Sequence, residues 1–325
     1  MRRAVALALA LLAAAGPVLA APDLSADGLL RDHLWREVRR APVGRRPRVG
    51  LVLSAGSLRG VAHVGVIRVL ENAGFPIDVV AGTSMGSVVG SFYAGGIPLE
   101  RMWKIAINLR MDSGANLSVR SLIFLILFDR LLSSENAEKM IRLTLHGMTF
   151  DRLLKPFACV SMDIYTGEAI IFRDGDVATA VRASMNLPGI FQPLEYRHRF
   201  LVDGGVVDYI PVDAARLLGA QWTLASVTET DFTAARPKSV LDALEQVIDI
   251  RGAYLSREQR RQANFLIEPP VGGIGMFDSQ RIPEALDKGV IAAAKRLPAA
   301  EESLILASIP LLAPGWSAES AGAAR

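Results

Sequence analysis

The chain has 325 residues, 51% hydrophobic and 21% charged, enough apolar material for a full core and unlike a disordered or fibrous protein. Its 36 Lys and Arg against 33 Asp and Glu leave a formal charge of +3, too even a balance for nucleic-acid binding as a main activity. The single cysteine, Cys159, excludes an internal disulfide, and no Cys/His cluster stands at zinc spacing, so neither a disulfide framework nor a structural metal is expected.

Residues 1–20 read as a separate unit. Arg2-Arg3 precedes an unbroken apolar run from Ala4 to Ala15, then the helix-breaking pair Gly16-Pro17 and the small-residue site Val18-Leu19-Ala20. That is the layout of a secretory signal peptide cut after Ala20, with an uncleaved anchor as the alternative. The run is short for a bilayer span, which takes ~20 apolar residues. Export to the periplasm or the medium is therefore the expectation. Residues 21–47 form an N-terminal segment interrupted by Pro22, Pro42, Gly44 and Pro47, with one short helix near 29–39.

From Val49 the pattern changes. Residues 49–53 are a short apolar run, too brief for a helix and bounded by turn residues, hence a buried strand. A turn at 54–60, a helix to about 72 and a second apolar strand at 77–81 complete a βαβ unit with parallel strands. A third strand is expected at 157–162, with a hairpin partner at 168–172 across Tyr165-Thr166-Gly167. Residues 176–186 look helical and stop before Pro188-Gly189. Short strands at 194–196 and 199–202 lead into Asp203-Gly204-Gly205, and residues 222–227 give one more strand. Residues 48–228 thus form the core. A helical and strand extension of the same domain, 229–309, follows. In it Ser239 caps a helix whose Val240, Leu244, Val247, Ile248 and Leu255 share one face. Residues 310–325, rich in Pro, Gly, Ala and Ser, read as a loose tail. The run 122–128 is the most apolar outside the leader. Burial in the core or under a lid is one reading of it and interfacial lipid contact the other.

The strongest local signal is Gly82-Thr83-Ser84-Met85-Gly86, a G-x-S-x-G placed where a strand ends and a helix starts. Such an elbow forces tight backbone torsions and leaves little room beside the serine, which is why glycine flanks it on both sides. It presents the Ser84 hydroxyl at a helix N-terminus, whose partial positive charge favours an attacking alkoxide. A serine nucleophile needs a base, and the mature chain offers His33, His63, His146 and His198. The order Ser84, Asp163, His198 satisfies a triad on paper, although Tyr196-Arg197-His198-Arg199 reads as a solvated hairpin turn. Two further signals are weak alone. Asp203-Gly204-Gly205 puts a carboxylate at a strand end before a sharp turn, as many hairpins do. The small residues of Ser54-Ala55-Gly56-Ser57-Leu58-Arg59-Gly60 expose consecutive N–H groups at a helix start, suited to a phosphate or an oxyanion, without the Lys-Ser/Thr of a P-loop.

Taken in order, the small-residue loop with Arg59-Gly60, the G-x-S-x-G about two dozen residues later and the distant Asp-Gly-Gly resemble the patatin-like phospholipase family. The resemblance runs from about Arg48 to Val227 and takes in Ala183-Ser184, Pro188, Phe191 and Ile210-Pro211-Val212. It implies a three-layer α/β/α sandwich with a mainly parallel central sheet, and catalysis by a Ser-Asp dyad without histidine, Ser84 attacking and Asp203 its partner. Gly56 and Ser57 would donate N–H groups to the oxyanion, Arg59 would hold the loop beside Gly60, and Gly82, Gly86, Gly204 and Gly205 would support the two motifs. Ala55 and Ser57 stand where the family loop is usually glycine, and a position requiring positive φ holds either residue at a cost. The implied activity is phospholipase A-type ester cleavage through an acyl-enzyme, with no cofactor, a phospholipid or other acyl-ester lipid as partner, and peripheral membrane contact. The alternatives are a conventional Ser-Asp-His esterase and a catalytically silent lipid-binding envelope protein.

Overall fold

A computed structural model describes residues 25–109, 133–233, 240–275 and 278–322. The expected leader, 1–20, and the apolar run 122–128 lie outside the described residues. The described residues open with helix α1 (Ala26–Arg40), capped by the Ser25 hydroxyl on the Gly28 N–H, and enter the sheet at β1 (Val49–Leu53). A 3-10 turn (Ser57–Val61) leads into α2 (Ala62–Asn72), followed by β2 (Val79–Thr83), α3 (Met85–Ala94) and α4 (Leu99–Ile107). Next come α5 (Glu135–Thr144), β3 (Phe157–Asp163), β4 (Ala169–Phe172), α6 (Val177–Met185), β5 (Leu194–Tyr196) and β6 (Arg199–Asp203). The last elements are α7 (Val212–Leu217), β7 (Trp222–Ser226), α8 (Val240–Gln259), β8 (Phe265–Ile267) and α9 (Ile282–Gly322).

All these strands join one sheet in the order β5-β6-β3-β2-β1-β7-β8, with β4 also on β3. The β3-β2-β1-β7-β8 run is parallel, while β4, β5 and β6 pair antiparallel. Alternation along the strands feeds two cores. Leu51 and Leu53 join residues of α1, α2, α3, α6 and α9, whereas Val52, Ala81 and Val160 join Val212, Ala214 and Ala215 of α7. Helices therefore cover both faces, the expected three layers. Where α9 crosses α2 the backbones nearly touch. A methyl group on Gly65 would lie 2.2 Å from Leu286 O, and one on Gly289 would lie 2.1 Å from Ala62 O.

One edge of β3 decides where the functional residues meet. Cys159 and Val160 pair with both β2 and β4, and Ser161 and Met162 with both β4 and β6. β4 therefore holds one edge of β3, while β2 and β6 share the other end to end. β2 finishes with Thr83 opposite Val160, and β6, running the other way, finishes with Asp203 opposite Ser161. The carboxyl ends of two strands thus face each other across a single step of β3, about 3.3 Å along it.

Most boundaries shift by a residue or a few from those read in the sequence, and two of the differences bear on the fold. β2 begins at Val79 rather than 77 and continues through Gly82 and Thr83, because pairing with Leu53 on one side and Val160 on the other holds residues that look like a turn. The expected loose tail after 309 is instead the continuation of α9. Its helix passes through Pro298, Pro310 and Pro314 to Gly322, with Leu304 and Leu312 buried against the core. The window from Ser279 to Pro314 is long and apolar enough to cross a membrane by length and composition, but the buried Leu286, Ala293 and Ala300 tie this helix to the domain.

Candidate active site

Ser84 stands at the β2–α3 elbow with φ 55° and ψ −124°, a conformation that costs a non-glycine residue roughly 1–3 kcal/mol. The flanking glycines are a steric demand. A methyl group on Gly82 would lie 2.3 Å from Gly86 O, and one on Gly86 would lie 2.3 Å from Leu53 O. The elbow is held by Ser184 at the end of α6, whose hydroxyl accepts the Ser84 N–H at 3.0 Å and donates to Val160 O at 2.6 Å. Val160 is the residue where β2 gives way to β6, so Ser184 bridges the break between the two strands.

The Ser84 hydroxyl donates to Asp203 Oδ2 at 2.6 Å, and both residues are buried. Asp203 Oδ1 accepts the Gly205 N–H at 2.7 Å, and the Asp203 N–H donates to Asn186 O at 2.8 Å, so the carboxylate and its backbone are both fixed. Gly204 lets this turn pass close to β3, since a methyl group there would meet Val160 O at 2.4 Å. Burial pushes the Asp203 carboxyl up to about 6, against the opposing effect of the bonds from Ser84 and Gly205. A carboxylate lifted in this way is a better proton acceptor near neutral pH than an exposed one.

The small-residue loop lies across from this pair. Ala55 N–H donates to Tyr209 O at 2.9 Å, and Ala55 O accepts from the Thr228 hydroxyl at 3.1 Å. Gly56 is pressed against Thr228, where a methyl group would lie 2.2 Å from Oγ1. Ser57 adopts φ 49°, so serine does occupy a left-handed position that glycine would fill without strain. Neither the Gly56 nor the Ser57 N–H has an acceptor among the described residues, and both residues line the pocket that holds Ser84 and Asp203. Gly60 admits Met85, whose Cβ would be 2.7 Å from a methyl group there. Arg59 is buried behind the loop and bound to Asp249 at 2.8 Å. The pocket opens to solvent and has Leu187, Val206 and Ile248 in its apolar wall.

The histidines are elsewhere. His198 sits exposed in the β5–β6 turn, at φ 63°. It is five residues before Asp203 on an extended strand, roughly 16 Å away. Asp163 pairs with Arg199 at 3.4 Å rather than with any histidine. His63 is fully buried, its Nε2–H donating to Ser54 O at 3.0 Å and its Nδ1 accepting from the Ser226 hydroxyl at 2.8 Å. A carbonyl can only accept, which fixes that neutral tautomer, and burial brings the imidazole down to about 4. The Ser84, Asp163, His198 triad is thus not assembled. Among the described residues, no group of three or more His, Cys, Asp or Glu side chains is placed to hold a metal ion.

Several site residues carried no signal in the sequence. Ser184 and Tyr209 lie inside the family-like stretch without a role of their own, and Thr228 and Asp249 lie beyond it. They are united only by the fold.

Residues 51–216, just over half of the chain, match the family model described as patatin-like phospholipase. A patatin-like phospholipase domain-containing protein of Caenorhabditis elegans is 33% identical over 223 residues, 62% of this chain and 16% of that protein. An uncharacterized NTE family protein of Mycobacterium tuberculosis H37Rv is 34% identical over 187 residues, 55% of this chain and 48% of that protein. The chain therefore spans half or less of these relatives' length. The crystal structure of VipD from Legionella pneumophila aligns with a TM-score of 0.45 at 14% identity, covering 78% of this chain and 67% of that one. On the family match, with the elbow serine and the aspartate each in its motif, this chain belongs to the patatin-like phospholipase family.

Proposed function

We propose that this chain is a lipid acyl hydrolase of the phospholipase A type, working through Ser84 and Asp203. The observation that carries the reading is the 2.6 Å hydrogen bond from the strained elbow serine to a buried carboxylate that has no histidine between them. Asp203 Oδ2 takes the Ser84 proton as Oγ attacks the ester carbonyl, and the carbonyl oxygen, now negative, lies against the Gly56 and Ser57 N–H groups. Collapse of the tetrahedral adduct breaks the ester C–O bond, and the proton held on Asp203 passes to the leaving alkoxide. Water then attacks the acyl-enzyme with Asp203 again as base, releasing a fatty acid and restoring Ser84. The relatives' names, patatin-like phospholipase and NTE family, support a lipid ester as the substrate class.

Export belongs to the same proposal, supported by the charged, apolar and small-residue sections of 1–20. So does peripheral membrane contact, supported by the apolar run 122–128. Mass spectrometry of a mixed-lipid extract incubated with the protein tests the activity. The reading expects free fatty acid and a matching lysolipid, neither of them from Ser84→Ala. A wild-type protein that releases no fatty acid and fails to react with a fluorophosphonate probe would sink it.

A further inference from the structure

The family match ends at residue 216, yet the wall of the pocket behind the oxyanion loop comes from further along the chain. Helix α8 contributes Ile248 and Asp249 to that wall. Arg59 is 1% exposed, a guanidinium almost wholly removed from water. Its Nη2 donates to Asp249 Oδ1 at 2.8 Å and its Nη1 to Ile274 O at 3.1 Å, while its Nε–H is buried without a partner among the described residues. Asp249 is therefore the counter-charge of a buried cation, its own side chain only 10% exposed.

The place of Arg59 in the loop gives this pair a consequence. The hydrogen bonds of Ala55 to Tyr209 and Thr228 brace the loop before Gly56. After Gly56 comes Ser57, strained at φ 49°, and Arg59 two residues beyond it ties this half of the loop to α8, beside the core packing of Leu58 and Val61. A buried cation deprived of its carboxylate seeks water or another anion. The other carboxylate lining the pocket is Asp203, the base itself.

We propose that Asp249 is a positioning residue of the active site: it holds Arg59 in place, and through it aims the Gly56 and Ser57 N–H groups at the oxyanion. Helix α8 is then part of the catalytic apparatus. The inference rests on the acyl-hydrolase reading, and it acts through the loop, not through contact with substrate.

The test uses the full chain, a soluble short-chain p-nitrophenyl ester, and three variants. Asp249→Asn keeps the shape and removes the charge, Arg59→Met removes the cation, and Arg59→Met/Asp249→Leu replaces both charges with apolar groups, so the double variant folds even where a stranded charge prevents it. The expected result is a fall in kcat of ~10-fold to 100-fold in Asp249→Asn with KM nearly unchanged, as for loss of an interaction made in the transition state. The double variant should be no slower than the worse single one, since both act on one device. Retained kcat in Asp249→Asn, or losses that multiply, would overturn the proposal. Hydrogen exchange supplies an arm that needs no turnover. Amides of 54–61 should exchange faster in Asp249→Asn while those of β1 and β2 do not, and unchanged exchange in the loop would also overturn it. A wild-type chain that cleaves no ester, with loop exchange responding as expected, would count against the acyl-hydrolase reading and leave the Asp249–Arg59 brace standing.

Discussion

Replacing Asp203 with asparagine should stabilise the protein at neutral pH while it abolishes the base. The folded protein holds this carboxyl at about 6, chiefly because it is buried, against an ordinary value of 3.8 in the unfolded chain. Between those values the folded state binds more protons than the unfolded one. Stability therefore falls as pH rises from about 4 to about 6, and the cost is fully present above that window. At 1.36 kcal/mol per pH unit the difference amounts to about 3 kcal/mol. Asparagine has the same shape, can accept the Gly205 N–H through its carbonyl and carries no charge to desolvate. Asp203→Asn should accordingly gain up to about 3 kcal/mol at pH 7.5 and nothing at pH 4. Urea unfolding followed by circular dichroism at pH 4, 5.5 and 7.5 measures both ends. Equal stability of the two proteins at pH 7.5, or a gain of the same size at pH 4, would refute the claim that the buried carboxylate is held at an energetic cost.

The same carboxyl sets the rate profile: kcat/KM on a soluble ester should rise with pH through a single inflection near 6 and then level, with His63, brought down to about 4 and so already neutral there, adding none. A stopped-flow or spectrophotometric titration from pH 4 to 8 checks it. Gly86→Ala would push a methyl group to 2.3 Å from Leu53 O and should cost roughly 2–4 kcal/mol, read as a lowered urea midpoint together with lost activity. Ser184→Ala strands the buried Ser84 N–H and Val160 C=O and should cost about 2–4 kcal/mol, with slower fluorophosphonate labelling of Ser84 as the sign that the elbow has loosened.

The elements legible in the sequence are those whose information is local. β1 matched its predicted span because a short apolar run between turn residues has few other homes, and the elbow was visible because glycine is demanded within two residues on either side of Ser84. The pairing of Ser84 with Asp203 was implied by family resemblance and not by the residues, since 119 positions separate them and only the tandem arrangement of β2 and β6 on β3 brings them together. The end of β2 was missed because Gly82-Thr83 looks like a turn until neighbouring strands pair with it on both sides. The helical course of α9 past Pro310 was missed because composition argues for coil, while burial of Leu312 holds it to the core. Asp249 was invisible for a plainer reason: an aspartate on a helix is ordinarily solvated, and nothing near it in sequence announces the buried arginine 190 positions away.

The account stands or falls on whether a carboxylate, without histidine, activates Ser84. Turnover of a short-chain ester by folded Asp203→Asn, His198→Ala and Ser84→Ala, measured side by side, tests this most directly. The dyad predicts that Asp203→Asn drops by at least ~10²-fold toward the level of Ser84→Ala, while His198→Ala stays within about tenfold of the wild type. Near-normal turnover by Asp203→Asn, or a folded His198→Ala as inactive as Ser84→Ala, would contradict it.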